Sequence, residues 1–261
     1  MNYFAGLCTD LKRIQVIGHP FYILEKTDST NNYAMAQVNS GEVTSGSAWF
    51  TGYQTAGKGT RGKKWLAEPG DVSALSVALQ PAALPLSRQF LLSAVAALAT
   101  YDLFSTYAGD ETTIKWPNDI YWRDRKAVGI LIENVIRGTI WQYAIIGIGV
   151  NLNQAKFPEE LKHAVSLRQI TGKTWEGPAF AKELCACLDK RIKQLEAGNY
   201  AAIMEEYKSR LFRINIPASY RKDGVAFTGT ITDILETGVL VMEIDNVRHE
   251  FSFGEIEFIL S

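Results

Sequence analysis

Two lysines, an amide and a carboxylate stand close together in one short stretch of the chain. Such side chains could stabilise the negative charge of anionic reactants. The stretch reads Lys115-Trp116-Pro117-Asn118-Asp119 and is followed by Lys126 and Gly129. The residues before the proline favour a strand, and the proline, which cannot donate to a sheet, should end it. The amide and the carboxylate would then lie in a turn, where folds commonly display functional groups. The sequence therefore predicts a site at this strand end.

A second stretch, residues 54–65, combines glycines with cations. Gly57, Gly59 and Gly62 permit a close backbone approach and open N–H groups to an anion. The cations of the same stretch are Lys58, Arg61, Lys63 and Lys64. The spacing does not match a P-loop. A phosphate- or carboxylate-binding loop and a solvated surface loop both remain open, whereas the near-neutral chain disfavours nucleic acid.

Two further motifs each have a structural and a functional interpretation. Asp28-Ser29-Thr30-Asn31 is typical of a helix N-cap, but the same helix start can bind a polar head group. Gly147-Ile148-Gly149-Val150-Asn151 ends a buried-looking strand. Glycines within a strand indicate either a bulge or the close approach of a ligand.

The bulk properties exclude several classes of protein. The 261 residues carry 27 Lys plus Arg against 28 Asp plus Glu, so no global field favours nucleic acid or an acidic membrane. Three cysteines, Cys8, Cys185 and Cys187, do not make a disulfide scaffold. Residues 1–20 lack the apolar core of a signal peptide, and the apolar run 90–101 is too short to span a bilayer. We expect a cytoplasmic protein that does not enter a membrane.

Periodicity predicts an α+β fold with a mixed, mostly antiparallel sheet and flanking helices, plus a small C-terminal β-barrel. The predicted strands cover 21–25, 47–51, 72–80, 112–116, 120–122, 126–134 and 140–150, and the predicted helices cover 31–40, 87–107, 180–195 and 200–211. After Pro217 short strands alternate with turns such as Asp223-Gly224. We therefore expect two domains, residues 1–212 and 213–261.

Taken together and in this order, the motifs resemble those of biotin protein ligases. The closest resemblance covers about residues 20–155, and Phe253-Gly254-Glu255-Ile256 is similar to the end of that family's small barrel. The resemblance implies a class II synthetase-like catalytic domain. It also implies a two-step reaction, in which biotin and ATP give biotinyl-5′-AMP and the biotin then passes to a lysine of a carrier domain.

The resemblance also implies roles for individual residues. Lys126 would lie between the biotin carboxylate and the phosphate, which makes it the catalytic candidate. Biotin would contact Ser29, Thr30, Gln54, Gly57, Lys58, Gly59, Trp116, Lys126, Gly129, Gly147 and Gly149. ATP or the adenylate would contact Lys58, Arg61, Lys63, Asn118, Asp119, Lys126 and Asn151. Asp119 could instead orient the acceptor lysine, and Mg²⁺ would accompany the phosphates.

Two departures from the family pattern carry predictions. Thr60 stands where the glycine loop usually has its second basic residue, and Arg61 or Lys63 could replace that charge. Only about 20 residues precede the ligase-like region, too few for the helix-turn-helix of some relatives. We therefore expect no DNA partner and no repressor activity.

Alternative functions remain open at this point. A lipoate or octanoyl ligase or transferase shares the implied fold, and a pseudo-ligase would bind biotin or a partner without catalysis. The expected partner is the biotin carboxyl carrier domain of acetyl-CoA carboxylase or a related carboxylase. The chain would be a monomer or a homodimer. The role of the C-terminal barrel stays open.

Overall fold

The computed structural model describes residues 16–65, 68–81 and 84–260. Its helices are α1 (Thr30–Ser40), α2 (Gln89–Ala108), α3 (Leu167–Thr171), α4 (Gly177–Glu196) and α5 (Tyr200–Ser209). The first nine strands are β1 (Phe21–Leu24), β2 (Ala48–Thr51), β3 (Gly57–Lys58), β4 (Lys64–Trp65), β5 (Val72–Leu79), β6 (Thr112–Lys115), β7 (Asp119–Trp122), β8 (Arg125–Arg137) and β9 (Ile140–Asn151). The last five strands are β10 (Pro217–Lys222), β11 (Val225–Ile234), β12 (Leu240–Ile244), β13 (Val247–Phe251) and β14 (Glu257–Phe258).

The main sheet has seven strands in the order β1-β2-β5-β9-β8-β7-β6. Strands β1 and β2 run parallel, and the other neighbouring pairs are antiparallel. The predicted mixed, mostly antiparallel sheet with flanking helices is confirmed. The predicted strands and long helices coincide with observed ones to within a few residues, whereas the short helix α3 was not predicted.

The two faces of the main sheet are covered differently. Helices α2, α4 and α5 pack on one face and form the larger hydrophobic core with residues such as Leu75 and Ile146. On the other face, Ala34 and Val38 of α1 pack against Trp49 and Ile145. The rest of this second face carries small residues and is covered by the glycine-rich loop, so it leaves room for a cavity.

Helix α2 corrects the argument from length about membranes. Together with the preceding turn, residues Leu86–Ala108 form a helical stretch that is long and apolar enough to cross a bilayer. The apolar helix is therefore longer than the run 90–101 that the sequence indicated. Burial provides the better evidence: Leu92, Val95 and Leu98 are fully enclosed between the sheet and α4. The helix has the position of a core helix of a folded domain.

The cysteines of the described ranges lie on α4. Cys185 and Cys187 are free thiols, the first buried and the second half-buried. Burial raises the pKa of both thiols, that of Cys185 to about 12. Neither thiol therefore has the low pKa of a reactive cysteine. Cys8 lies outside the described residues.

The C-terminal strands form a separate antiparallel sheet in the order β13-β12-β11-β10-β14. Trp116, at the end of β6, joins this sheet to the main one: its Nε1 donates to the Gly238 carbonyl at 2.9 Å, and its ring lies edge-on to Phe253. A small C-terminal β unit agrees with the expectation from the sequence. The boundary at residue 213 stays a prediction.

Candidate active site

One cavity gathers residues from most of the predicted motifs. It lies on the α1 side of the main sheet, under the loop that contains β3 and β4. Among the predicted site residues, its lining includes Ser29, Thr30, Gln54, Lys58, Gly59, Asp119, Lys126, Gly129, Gly147 and Gly149. Asn31, Thr60, Trp65 and Leu131 also line it. Stretches that are far apart in the chain thus meet at one place.

A hydrogen-bonded cluster of polar groups forms the end of the cavity at α1. The Thr30 backbone N–H donates to Gln54 Oε1 at 2.8 Å, and the Thr30 hydroxyl donates to the same oxygen at 3.2 Å. Ser29 occupies the N-cap position, yet its side chain makes no capping hydrogen bond. This hydroxyl therefore lines the cavity instead of serving the helix, which favours the ligand-binding interpretation of the Asp28–Asn31 motif.

Asn31 extends this polar cluster beneath the cavity. Its side chain occupies the space where a side chain at position 147 would lie, so that position is a glycine. Asn31 is almost fully buried and accepts a hydrogen bond from the Ser76 hydroxyl at 2.6 Å. A Cβ at position 147 would stand 2.2 Å from Asn31 Oδ1, so a larger residue cannot occupy it without moving this amide. The glycine marks a close packing contact rather than a flexible point.

The end of the cavity away from α1 holds Lys126 and Asp119. Their Nζ and Oδ1 atoms are 2.7 Å apart, so the two charges form an ion pair. The backbone of Lys126 is fixed on its far side, because its N–H donates to the His163 carbonyl and its own carbonyl accepts from the Val165 N–H. Only the side chain of the lysine is left to adjust.

A bulge in β8 places Lys126 and Gly129 on the same face. Residues three apart in a regular strand point to opposite faces. Here Ile120 pairs with Val128, whereas Tyr121 pairs with Lys126, so Ala127 is the extra residue of β8. The bulge reverses the alternation between Lys126 and Gly129. Both residues therefore reach the cavity, and Ala127 is fully buried in the core.

Trp65 lies across the glycines of the cavity floor. Gly129 and Gly149 face each other on β8 and β9, and a Cβ at either position would come within 3 Å of the Trp65 ring. Lys126 Nζ is 5.7 Å from the centroid of that ring. The indole Nε1 is buried and has no hydrogen-bond partner within residues 16–65, 68–81 and 84–260, so it can donate to a bound acceptor. Trp65 was not among the site residues predicted from the sequence.

The glycine-rich loop is a small ordered hairpin. Strands β3 and β4 pair through Gly57 with Trp65 and Lys58 with Lys64. A Cβ at position 57 would stand 2.5 Å from the Trp65 carbonyl, which requires glycine at this pairing. At the tip, Arg61 adopts a positive φ of 57° and donates from Nη1 to the Gly254 carbonyl at 3.0 Å. The stretch is therefore held by strand pairing and by the contact at its tip, and its binding of an anion stays a prediction.

Some predicted site residues lie outside this cavity. Trp116 points to the C-terminal sheet, as described above, and does not line this cavity, so its expected contact with biotin stays a prediction. Asn151 is buried behind Lys126, where its amide donates to the Lys126 carbonyl at 3.3 Å and accepts from Gln154. It supports the backbone of Lys126 from behind and does not line the cavity. Lys63 lines a groove on the outer side of the loop.

A second cavity adjoins the first, between the loop tip and the C-terminal sheet. It shares Thr60 and Leu131 with the main cavity. Arg61, Asn118 and Phe253 also line it. Asn118 is held there by two hydrogen bonds to Ile130: its side-chain amide donates to the Ile130 carbonyl at 2.5 Å, and its backbone carbonyl accepts from the Ile130 N–H at 3.1 Å.

Lys115 stands apart from both cavities. Its Nζ lies over the rings of Tyr121 and Phe258, 5.1 and 4.6 Å from their centroids. Burial lowers the pKa of this lysine, although the charge of Asp119 opposes the shift. Cation–π contacts partly replace the lost hydration. Of the two lysines that drew attention in the sequence, only Lys126 reaches the main cavity.

The comparisons with known proteins agree with this geometry. Residues 23–151 match the family model described as the biotin/lipoate A/B protein ligase family. The chain is 31% identical over 255 residues to the bifunctional ligase/repressor BirA of Bacillus subtilis, covering 97% of this chain and 76% of that protein. It is also 31% identical over 243 residues to the biotin–[acetyl-CoA-carboxylase] ligase of Paracoccus denitrificans, covering 90% of this chain and 99% of that relative.

The fold is similar to that of a solved relative. A biotin protein ligase from Aquifex aeolicus, solved in complex with biotin and ATP, superposes with a TM-score of 0.76 at 25% identity. The similarity covers 92% of this chain and 98% of that one. The chain belongs to the biotin/lipoate A/B protein ligase family and, within it, to the biotin protein ligases.

Proposed function

We propose that this protein is an ATP-dependent biotin protein ligase that forms biotinyl-5′-AMP and transfers biotin to a lysine of a biotin carboxyl carrier domain. The observation that carries the proposal is a single cavity with a polar cluster at one end and the Lys126–Asp119 pair at the other. Such a cavity fits an acid with a polar head group and a carboxylate tail. The lipoate alternative is disfavoured, because the relatives that match over most of this chain are biotin ligases.

In the first step the biotin carboxylate oxygen attacks the α-phosphorus of ATP, and pyrophosphate leaves. Both reactants are anionic, so a cation between them lowers the repulsion and stabilises the charge of the transition state. The backbone of Lys126 is anchored, and its ammonium reaches this part of the cavity, where it can serve as that cation. Lys58 lines the same cavity and supplies a second positive charge from the loop.

In the second step the acceptor lysine attacks the carbonyl carbon of the anhydride, an amide forms and AMP leaves. The acceptor amine must be neutral to attack and must lose a proton on the way to the amide. Asp119 is the carboxylate that lines the cavity beside Lys126. It is placed to orient the amine and receive a hydrogen bond from it, which gives this residue a role in transfer as well as in nucleotide binding.

We propose that the nucleotide binds in the second cavity, which adjoins the main cavity at Thr60 and Leu131. Asn118 and Arg61 line it and offer an amide and a cation to the nucleotide. The described ranges contain no group of three or more His, Cys, Asp or Glu side chains that could hold a metal. This fits Mg²⁺, which commonly binds through substrate phosphates with one or two carboxylates. Here Asp119 is the nearby carboxylate, and the ion would neutralise phosphate charge.

Further parts of the proposal concern partners and location. Relatives are named as ligases of acetyl-CoA carboxylase, and we assign the same class of acceptor to this chain. We retain the expectations of a cytoplasmic protein, a monomer or homodimer, and two domains divided at residue 213. The net charge of −1 supports the expectation that DNA is not a partner. A gel shift with sequence-specific binding would contradict that expectation.

The test is exchange of labelled pyrophosphate into ATP in the presence of biotin. We expect biotin-dependent exchange by the unmodified protein, and a loss of about 10²–10³ in its rate for Lys126→Met, because one charge-stabilising group is removed. Exchange that depends on lipoate or octanoate instead of biotin would support the alternative enzymes. Biotin binding without exchange would support a pseudo-ligase and contradict the proposal.

A further inference from the structure

Glu133 lies directly beneath the glycine-rich loop, although no predicted motif includes it. Gly129, Leu131 and Glu133 alternate along β8 and therefore share one face of the sheet. The first two of these residues line the main cavity. Glu133 lines the groove on the outer side of the loop, next to Lys58. The carboxylate thus stands at the boundary between the ligand cavity and the element that covers it.

Each oxygen of the Glu133 carboxylate has a different partner. Oε2 accepts a hydrogen bond from Asn31 Nδ2 at 2.8 Å. Oε1 forms an ion pair with Lys58 Nζ at 3.3 Å. Asn31 belongs to the polar end of the cavity, and Lys58 belongs to the loop. One side chain therefore connects the floor of the cavity to its cover.

The carboxylate fixes the orientation of the Asn31 amide. A carboxylate can only accept hydrogen bonds, so Asn31 must turn its NH₂ group toward Glu133. Its oxygen then faces Ser76, whose hydroxyl donates to it at 2.6 Å. Asn31 is almost fully buried, so removal of the carboxylate would leave a buried donor without that partner.

The same carboxylate holds Lys58 at the wall of the main cavity. An ammonium has three N–H donors, and the contact with Glu133 needs only one. Lys58 lines the main cavity while it is paired. The pairing therefore leaves donors free for an anionic ligand, and it restricts a long side chain that would otherwise sample solvent.

We propose that Glu133 is a positioning residue that orders both the polar end of the cavity, through Asn31, and the loop cation Lys58. Through Asn31 it orders the end that receives the head group, and through Lys58 it holds a loop cation ready for the adenylate. The inference rests on the proposed function, since it takes biotin and its adenylate as the ligands.

The test compares Glu133→Gln, Lys58→Ala, the double variant and Glu133→Ala. Glutamine keeps an oxygen for Asn31 and loses the charge that faces Lys58. We expect Glu133→Gln and Lys58→Ala each to release preformed biotinyl-5′-AMP about two- to fivefold faster, the size expected for a partly exposed ion pair. The double variant should be no faster than the faster single variant, because both changes remove one shared interaction.

Glu133→Ala should also raise the KM for biotin roughly tenfold, because the Asn31 amide loses the shorter of its two hydrogen bonds and keeps only that to the Leu131 carbonyl. Its kcat should change less than its KM. Glu111→Gln is the matched control: it removes an exposed ion pair with Arg123, and we expect unchanged release. Melting curves of all variants establish that each has folded before its kinetics are compared.

Two results would overturn this inference while the proposed function stands. One is a release rate in the double variant that rises by the product of the two single-variant increases. Such independent effects would mean that Glu133 and Lys58 do not act through their shared ion pair. The other is an unchanged biotin KM in folded Glu133→Ala. By contrast, an unmodified protein without biotin-dependent exchange would overturn the proposed function itself, so the two failures are distinguishable.

Discussion

At the scale of single residues, the glycines of the cavity are defined by the side chains that lie against them. Gly147 makes room for Asn31, and Gly129 and Gly149 make room for the Trp65 indole. The sequence indicated close approach at these positions as one of two interpretations. It could not identify the neighbours, because Asn31 and Trp65 come from other parts of the chain.

The first residue-scale prediction concerns Gly149→Ala. The added methyl group would come within 2.8 Å of the indole, so the ring must move or the strand must shift. Overpacking of this kind costs about 1–3 kcal/mol. Because the ring covers the cavity floor, we expect the KM for biotin to rise about tenfold or more, as measured by pyrophosphate exchange.

A smaller ring provides the control for this prediction. Trp65→Phe in the Gly149→Ala background removes the atoms that collide and should recover part of the lost affinity relative to Gly149→Ala alone. An unchanged KM in Gly149→Ala would show that the indole does not depend on the glycine floor.

At the scale of elements, the glycine-rich loop is held at two points. Lys58 pairs with Glu133 on the main sheet, and Arg61 donates to Gly254 beside the C-terminal sheet. The sequence predicted an anion-binding loop and a compensating role for Arg61 or Lys63. It contained no sign that Arg61 also connects the loop to the C-terminal sheet, since 193 residues separate the partners.

We predict that Arg61→Ala releases the adenylate faster than Lys63→Ala does. Arg61→Ala removes a cation beside the second cavity and the contact with Gly254. Lys63→Ala removes only a charge on the outer groove. We expect about a fivefold increase in release for Arg61→Ala, in line with one hydrogen bond to a charged group. The measurement is the decay of isolated enzyme–adenylate complex. Equal, unchanged decay in both variants would refute a compensating role for either cation.

The elements themselves were largely predictable, whereas the site geometry was not. Alternation and 3.6-residue periodicity located the long helices and strands. The bulge at Ala127 depends on how β7 and β8 pair, so the spacing of Lys126 and Gly129 alone would have put them on opposite faces. Glu133 was missed for a similar reason: its partners Asn31 and Lys58 are distant in sequence, and its own position carries no motif.

At the scale of the whole molecule, β6 and the turn after it connect two sheets. Trp116 donates to Gly238, and Lys115 lies between Tyr121 of the main sheet and Phe258 of the C-terminal sheet. The string that drew attention as a reactive site therefore has two functions. Its last two residues face the cavities, and its first two residues hold the sheets together.

The whole-molecule prediction concerns the pH dependence of stability. Burial lowers the folded-state pKa of Lys115 below its ordinary value of 10.5. Between these two pKa values the unfolded chain binds more protons at this site, so the contribution of Lys115 makes stability rise with pH. We expect Lys115→Met to melt at a higher temperature at pH 7, since Met fits among aromatic rings without a charge to desolvate.

The difference in melting temperature between Lys115→Met and the unmodified protein should shrink as pH approaches 10.5. Taking this difference cancels the tyrosines that titrate in the same range. A difference that stays constant from pH 7 to 10.5 would contradict the assigned pKa shift. A lower melting temperature for Lys115→Met at pH 7 would show that the cation–π contacts outweigh the desolvation of the charge.

The rigid attachment of Lys126 has a consequence for substrate length. Its backbone is bound on one side to the segment at His163 and Val165, and the polar end of the cavity is fixed by α1 and Gln54. Both ends of the ligand site are therefore held by hydrogen bonds to other parts of the fold, and the side chain of Lys126 is the part left to adapt. The cavity therefore selects acids by the distance between head group and carboxyl carbon. We expect homologous acids with longer or shorter tails to bind without being converted to the adenylate.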